Sequence, residues 1–94
     1  MLNIENNLII HEKIDQDVTI LKGGFLTLHG QITRNLYIQA GGTAVIHGMV
    51  VENLYIDPQG TAIVNGMVCK DVLNKGSFSA TGMVCGNVIN LSKD

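Results

Sequence analysis

The 94-residue sequence predicts an all-β, single-domain triangular parallel β-helix, that is, a β-solenoid, of about five coils. Three observations predict it. Glycine and Asn/Asp recur in fixed columns about 18 residues apart. Aliphatic residues recur every six positions within that repeat. The composition is 46% hydrophobic but only 4% aromatic, which suits a core of stacked aliphatic side chains.

The columns come first, because an overlooked internal repeat mis-assigns the whole fold. One glycine column holds Gly24, Gly42, Gly60 and Gly76, and a second holds Gly30, Gly48, Gly66 and Gly82. A third column holds an Asn or Asp at Asp17, Asn35, Asn53, Asp71 and Asn87. Each column steps by 18 residues and then, at its last step, by 16. Three columns that share one two-residue deletion mark a single structural unit. The coils are therefore set at about 6–23, 24–41, 42–59, 60–75 and 76–91, within one domain spanning 1–94.

The six-residue period runs Leu2, Leu8, Ile14, Ile20, Leu26, Ile32, Ile38, Ala44, Val50, Ile56, Ala62 and Val68. Neither a helix, at 3.6 residues per turn, nor a flat meander gives that spacing. A chain that turns a corner every six residues does. Three short strands per coil then stack each side chain on its equivalent one coil away, at about 4.8 Å. The Gly30 column and the Asn35 column mark two corners, and Gly24, Gly42 and Gly60 mark the third. Glycine reaches positive φ freely, and Asn or Asp tolerates it, so left-handed residues are expected at these corners. Pro58-Gln59-Gly60 reads as a turn, which Asn74-Lys75-Gly76 shortens in the 16-residue coil. The right-handed preference of parallel crossovers favours a right-handed solenoid.

Alternation along each strand assigns inside and outside. Ala44, Ile46, Val50, Leu54 and Ile56 are expected to point inward. Their equivalents are Leu26, Leu28, Ile32, Leu36 and Ile38, then Ala62, Val64, Val68 and Val72. Asn74 and Asn90 stand where an aliphatic residue would close the side. The outward positions form two apolar ladders. Met49, Met67 and Met83 follow a corner, with Val51, Cys69 and Cys85 two residues further on the same face. Tyr37, Tyr55, Leu73 and Ile89 form the other ladder. Exposed apolar patches mark interfaces, and methionine makes them adaptable, so these ten residues are the candidate interaction surface.

His11, His29 and His47 share a column that continues as Asn65 and Thr81. Imidazoles about 5 Å apart could hold a metal. The reading adopted is a solvated outer ladder of stacked rings, since no carboxylate column lies two residues away. Cys69 and Cys85 occupy equivalent places in adjacent coils, within disulfide reach, but side chains in register between parallel strands match the required torsion poorly. They are read as free thiols acting as small hydrophobes. Asp15, Asp17, Glu52, Asp57 and Asp71 are dispersed, mostly at corners. There is no Gly-rich phosphate loop with a lysine, no nucleophile elbow and no Cys-Xaa-Xaa-Cys pair. The expectation is a non-enzyme without metal or cofactor.

Gly30-Gln-Ile-Thr-Arg-Asn-Leu-Tyr-Ile and Gly48-Met-Val-Val-Glu-Asn-Leu-Tyr-Ile, each followed by a glycine that opens the next coil, resemble the bactofilins. These bacterial cytoskeletal proteins are right-handed triangular β-helices, and the resemblance spans roughly residues 6–91. It implies nucleotide-free assembly, end-to-end stacking into filaments and no catalysis. Left-handed hexapeptide-repeat acyltransferases share the six-residue period, but they favour a small residue after the aliphatic one. Here that place holds Thr27, Thr33, Gln39, Val45, Val51 and Asp57.

Net charge −2 and a pI near 5.8, with six scattered basic residues, argue against a nucleic-acid partner. No apolar run approaches a membrane span. MLNIENNLII lacks the basic start of an export signal, and two cysteines suit a reducing compartment, so a cytoplasmic location is expected. The partner expected is the protein itself, as a homo-oligomer or filament joined at the solenoid ends or through an outer ladder. The alternative is a small immunity protein that binds and neutralises a bacterial toxin.

Overall fold

The structure is a computed structural model and describes residues 2–91; residues 1 and 92–94 of the expected domain lie outside the described residues. Among the described residues sixteen short strands wind around a triangle, three to a coil, with one left over. The first coil holds β1 (Leu2–Ile4), β2 (Asn7–Ile10) and β3 (Lys13–Ile14), and the second holds β4 (Val18–Ile20), β5 (Phe25–Leu28) and β6 (Gln31–Ile32). The third and fourth hold β7 (Leu36–Ile38), β8 (Thr43–Ile46) and β9 (Met49–Val50), then β10 (Leu54–Ile56), β11 (Thr61–Val64) and β12 (Met67–Val68). The fifth holds β13 (Val72–Asn74), β14 (Ser77–Ala80) and β15 (Met83–Val84), after which β16 (Val88–Asn90) begins another turn.

Every third strand pairs, giving three parallel sheets, one per side of the triangle. The first side orders β1-β4-β7-β10-β13-β16, the second β14-β11-β8-β5-β2 and the third β15-β12-β9-β6-β3. Register follows the repeat. Leu36 pairs with Leu54 and Leu54 with Val72 on the first side, and Ala44 with Ala62 on the second. On the third side Val50 pairs with Val68. The columns read from the sequence are thus the columns of the sheets.

The core is the inside of the triangle. All fourteen residues assigned inward in the second, third and fourth coils are at most 1% exposed. The six-residue series lies wholly on inward positions, and only its first members open to solvent, with Leu8 38% exposed. The small column Ala44–Ala62 ends in Phe78, whose ring packs against the core from the last coil.

Two corners work differently from the expectation. Glycine at 30, 48, 66 and 82 is not in the left-handed region. It is required by proximity instead. A Cβ on Gly48 would overlap the carbonyl oxygen of Gly30, and one on Gly66 that of Gly48. Adjacent coils approach so closely at this corner that a side chain has no room.

The Asn/Asp corner is not left-handed either; Gln59 is the one non-glycine residue with positive φ among the described residues. Its residues are needed for their side-chain oxygens. The backbone N–H of Asn35 donates to Asp17 Oδ1 at 3.0 Å, and that of Asn53 to Asn35 Oδ1 at 2.9 Å. Asp71 and Asn87 donate in turn to Asn53 Oδ1 (3.0 Å) and Asp71 Oδ1 (2.8 Å). One hydrogen bond per coil therefore runs along the axis and satisfies a corner N–H that the sheets leave unpaired.

Positive φ occurs at the third corner, one residue before the glycine column, at Gly23 (84°), Gly41 (81°) and Gln59 (69°). Each is the third residue of a four-residue turn closed by Gly24, Gly42 or Gly60, whose N–H donates to Leu21, Gln39 or Asp57 at 2.8–2.9 Å. Positive φ at that place defines a type II turn, and Pro58 fits its second position. The shortened coil replaces this turn with a side chain. Asn74, 5% exposed, accepts from the N–H of Gly76 at 3.0 Å and donates through Nδ2 to Asn90 Oδ1 at 2.9 Å. Both the oxygen and the nitrogen of the buried amide thus have a partner, and the side chain takes the place of the turn that is two residues longer in the other coils.

Candidate functional site

With the interior filled by aliphatic side chains, recognition chemistry lies on the outer faces and at the two ends. The third side carries the methionine ladder. Met49, Met67 and Met83 are Cα partners in successive strands, directly after the glycine corner. Met49 and Met67 are half-buried and Met83 is 56% exposed. Val51 and Cys69 are half-buried and Cys85 is exposed, and both cysteines are free thiols. Cys69 Sγ donates to Met67 Sδ at 3.8 Å.

On the first side Tyr37, Tyr55, Leu73 and Ile89 are Cα partners in succession. The tyrosine rings stack with centroids 5.0 Å apart and planes 10° from parallel. Tyr37, Tyr55 and Leu73 are half-buried, and Ile89 is 44% exposed. All ten candidate surface residues lie on outward positions, on two different sides of the triangle. The second side holds an apolar set that the sequence reading passed over: Ile9 (60% exposed), Phe25 (38%) and Ile63 (36%). Their signal was present, since they occupy outward places in strands otherwise rich in Thr and Ser.

The histidine column lies at the corner between the second and third sides. His11 and His29 stack at 4.9 Å and 6°, and His29 and His47 at 5.0 Å and 9°. Rings that lie parallel aim their nitrogen lone pairs in parallel, so they do not converge on one ion. Among the described residues no group of three or more His, Cys, Asp or Glu could hold a metal. The column ends in a hydrogen bond from Thr81 Oγ1 to Asn65 Oδ1 at 2.8 Å. Because the adjoining corner lacks Cβ atoms, a groove of about 580 Å³ runs along Gly30, Gly48 and Gly66. His11, Met49 and Met67 are among the side chains that line it.

The ends differ from the middle. Val88 is 40% exposed although its partner Val72 is fully buried, and Leu8 is 38% exposed although its partner Leu26 is fully buried. Ala80 and Asn90, inward places in the last coil, are exposed as well. Among the described residues no helix is long and apolar enough to cross a membrane. Compared with family models, curated proteins and solved structures, the chain matches none. The class defined by the fold is a triangular parallel β-solenoid.

Proposed function

We propose that this chain is a non-catalytic, self-associating structural protein of bactofilin type, whose solenoids join end to end in the cytoplasm. The observation that carries the reading is the opening of the core at both terminal coils, seen in Val88 and Leu8 against their buried partners. Covering such a surface removes apolar area from water and pairs strand edges that otherwise offer free N–H and C=O groups. A second copy is the occupant best fitted to do so. Each internal step of the solenoid is already one coil of this chain packed on another, with matched register in all three sheets. The outer ladders are half-buried through Met49, Met67, Tyr37, Tyr55 and Leu73 and open where they reach the last turn, at Met83, Cys85 and Ile89, so they add to the exposed surface at that end.

The reading is tested by sedimentation velocity over a dilution series, with negative-stain microscopy of the same samples. Filaments, or a ladder of sizes that shortens on dilution, are expected. A monomer at every concentration would refute self-association. A single small species that binds a toxin tightly would favour the immunity reading instead.

A further inference from the structure

We propose that the outer face of the third side holds a binding site for one Cu(I) ion per chain, built from the sulfurs of Met67, Cys69, Met83 and Cys85. The two cysteines and two of the four methionines fall within two adjacent turns of one face. Each turn presents the same triplet, Met67-Val68-Cys69 and Met83-Val84-Cys85. Val68 is fully buried, so the alternation that sends valine into the core sends both flanking sulfurs outward. Met67 and Met83 are Cα partners, and the N–H groups of Cys69 and Cys85 make the same backbone bond at 2.9 Å one turn apart. The four sulfur-bearing residues thus stand at equivalent places in two neighbouring turns, at and just beyond adjacent strands.

The geometry of the one direct contact suits a metal. Met67 Sδ and Cys69 Sγ lie 3.8 Å apart. An ion about 2.3 Å from each sulfur would span that gap with an S–metal–S angle of about 110°. The equivalent sulfurs of the next turn are about one strand spacing, or roughly 4.8 Å, further along. Rotation of an exposed Met83 or Cys85 side chain closes that distance, since methionine has three rotatable bonds.

The donor set selects the ion. Thiolate and thioether sulfurs are soft ligands that favour Cu(I). Zinc sites use thiolate, imidazole or carboxylate ligands, and this face supplies only two of those. On binding, each cysteine that becomes a ligand releases its proton to solvent, the thioethers donate a lone pair, and copper stays in the +1 state. The site is independent of end-to-end association, because its residues lie on a lateral face.

The test is anaerobic titration of the full-length reduced chain against the coloured bicinchoninate complex of Cu(I), with thiolate-to-copper absorption in the ultraviolet as a second readout. Withdrawal of one Cu(I) per chain is expected, with the new absorption band. Cys69→Val should weaken binding at least tenfold. It should leave the far-ultraviolet circular dichroism unchanged, because Val51 fills the equivalent place one coil earlier. Met67→Leu should weaken binding several-fold, and Met49→Leu should not change it. No withdrawal of copper, equal binding by Cys69→Val, or one ion per two chains would each overturn the proposal.

Discussion

Gln59 holds a backbone conformation that glycine holds at the two preceding turns, with φ of 69°. A side chain costs about 1–2 kcal/mol there, and glycine loses about 0.4–1 kcal/mol through the freedom of the unfolded chain. Gln59→Gly is therefore expected to stabilise the protein by about 0.5–1 kcal/mol, as urea unfolding would measure. Asn74→Ala acts in the opposite direction. It removes the acceptor of the Gly76 N–H and the partner of Asn90, and it should cost about 1–3 kcal/mol in the same assay. Val50 is fully buried among aliphatic neighbours. Val50→Asp places an unpaired charge there, a penalty of the same order as the entire stability of a small domain, and circular dichroism should find the chain unfolded. At this scale the sequence was legible for inward side chains, because alternation is a steric rule. The reason for each corner residue was less so. Gly48 and Asn53 are conspicuous in one chain, but whether glycine answers to φ or to the neighbouring coil's carbonyl depends on how closely coils approach. That distance is a property of the stacked structure and not of any local stretch.

A strand of two or three residues carries few side chains, so its phase rests on the corner before it. Met67 and Val68 form one such strand, with the methionine half-buried outside and the valine buried within. Met67→Glu should accordingly keep the fold and change stability by less than about 1 kcal/mol, whereas Val68→Glu should unfold it, a contrast that thermal melts would resolve. The ladders along the elements were legible as columns, since register reproduces the repeat. The stacked imidazoles and tyrosines follow directly from it, at 4.9–5.0 Å. The apolar set on the second side was harder to read. Ile9 and Ile63 share a column that Thr27 interrupts, and Phe25 stands in the neighbouring column, where Thr43 and Thr61 follow it. The sulfur pairing of Met67 with Cys69 depended on side-chain rotamers, which spacing alone does not determine.

The whole molecule is a stack whose interior is complete in the middle and open at both described ends. Fully buried positions in the second to fourth coils become 38–40% exposed at Leu8 and Val88. A stacked repeat offers at each end a surface that a further coil would cover. The proposed association at the ends would draw on the same kind of contacts that hold the coils together. The sequence made the coil count and the three-sided plan legible. Joining at the ends was expected from the same repeat, whereas how far Leu8 and Val88 open to solvent was not, because exposed area does not follow from spacing alone.

The most direct measurement compares the sedimentation of the wild-type chain with that of Val88→Asp at matched concentrations, with circular dichroism to confirm that both are folded. Val88 is 40% exposed, so an aspartate there stays in contact with water in the single chain and is buried only when a second copy covers the end. Large assemblies are expected for the wild type and a folded particle of much smaller size for Val88→Asp. Equal assembly by the two chains, or a wild type that stays monomeric, would contradict it.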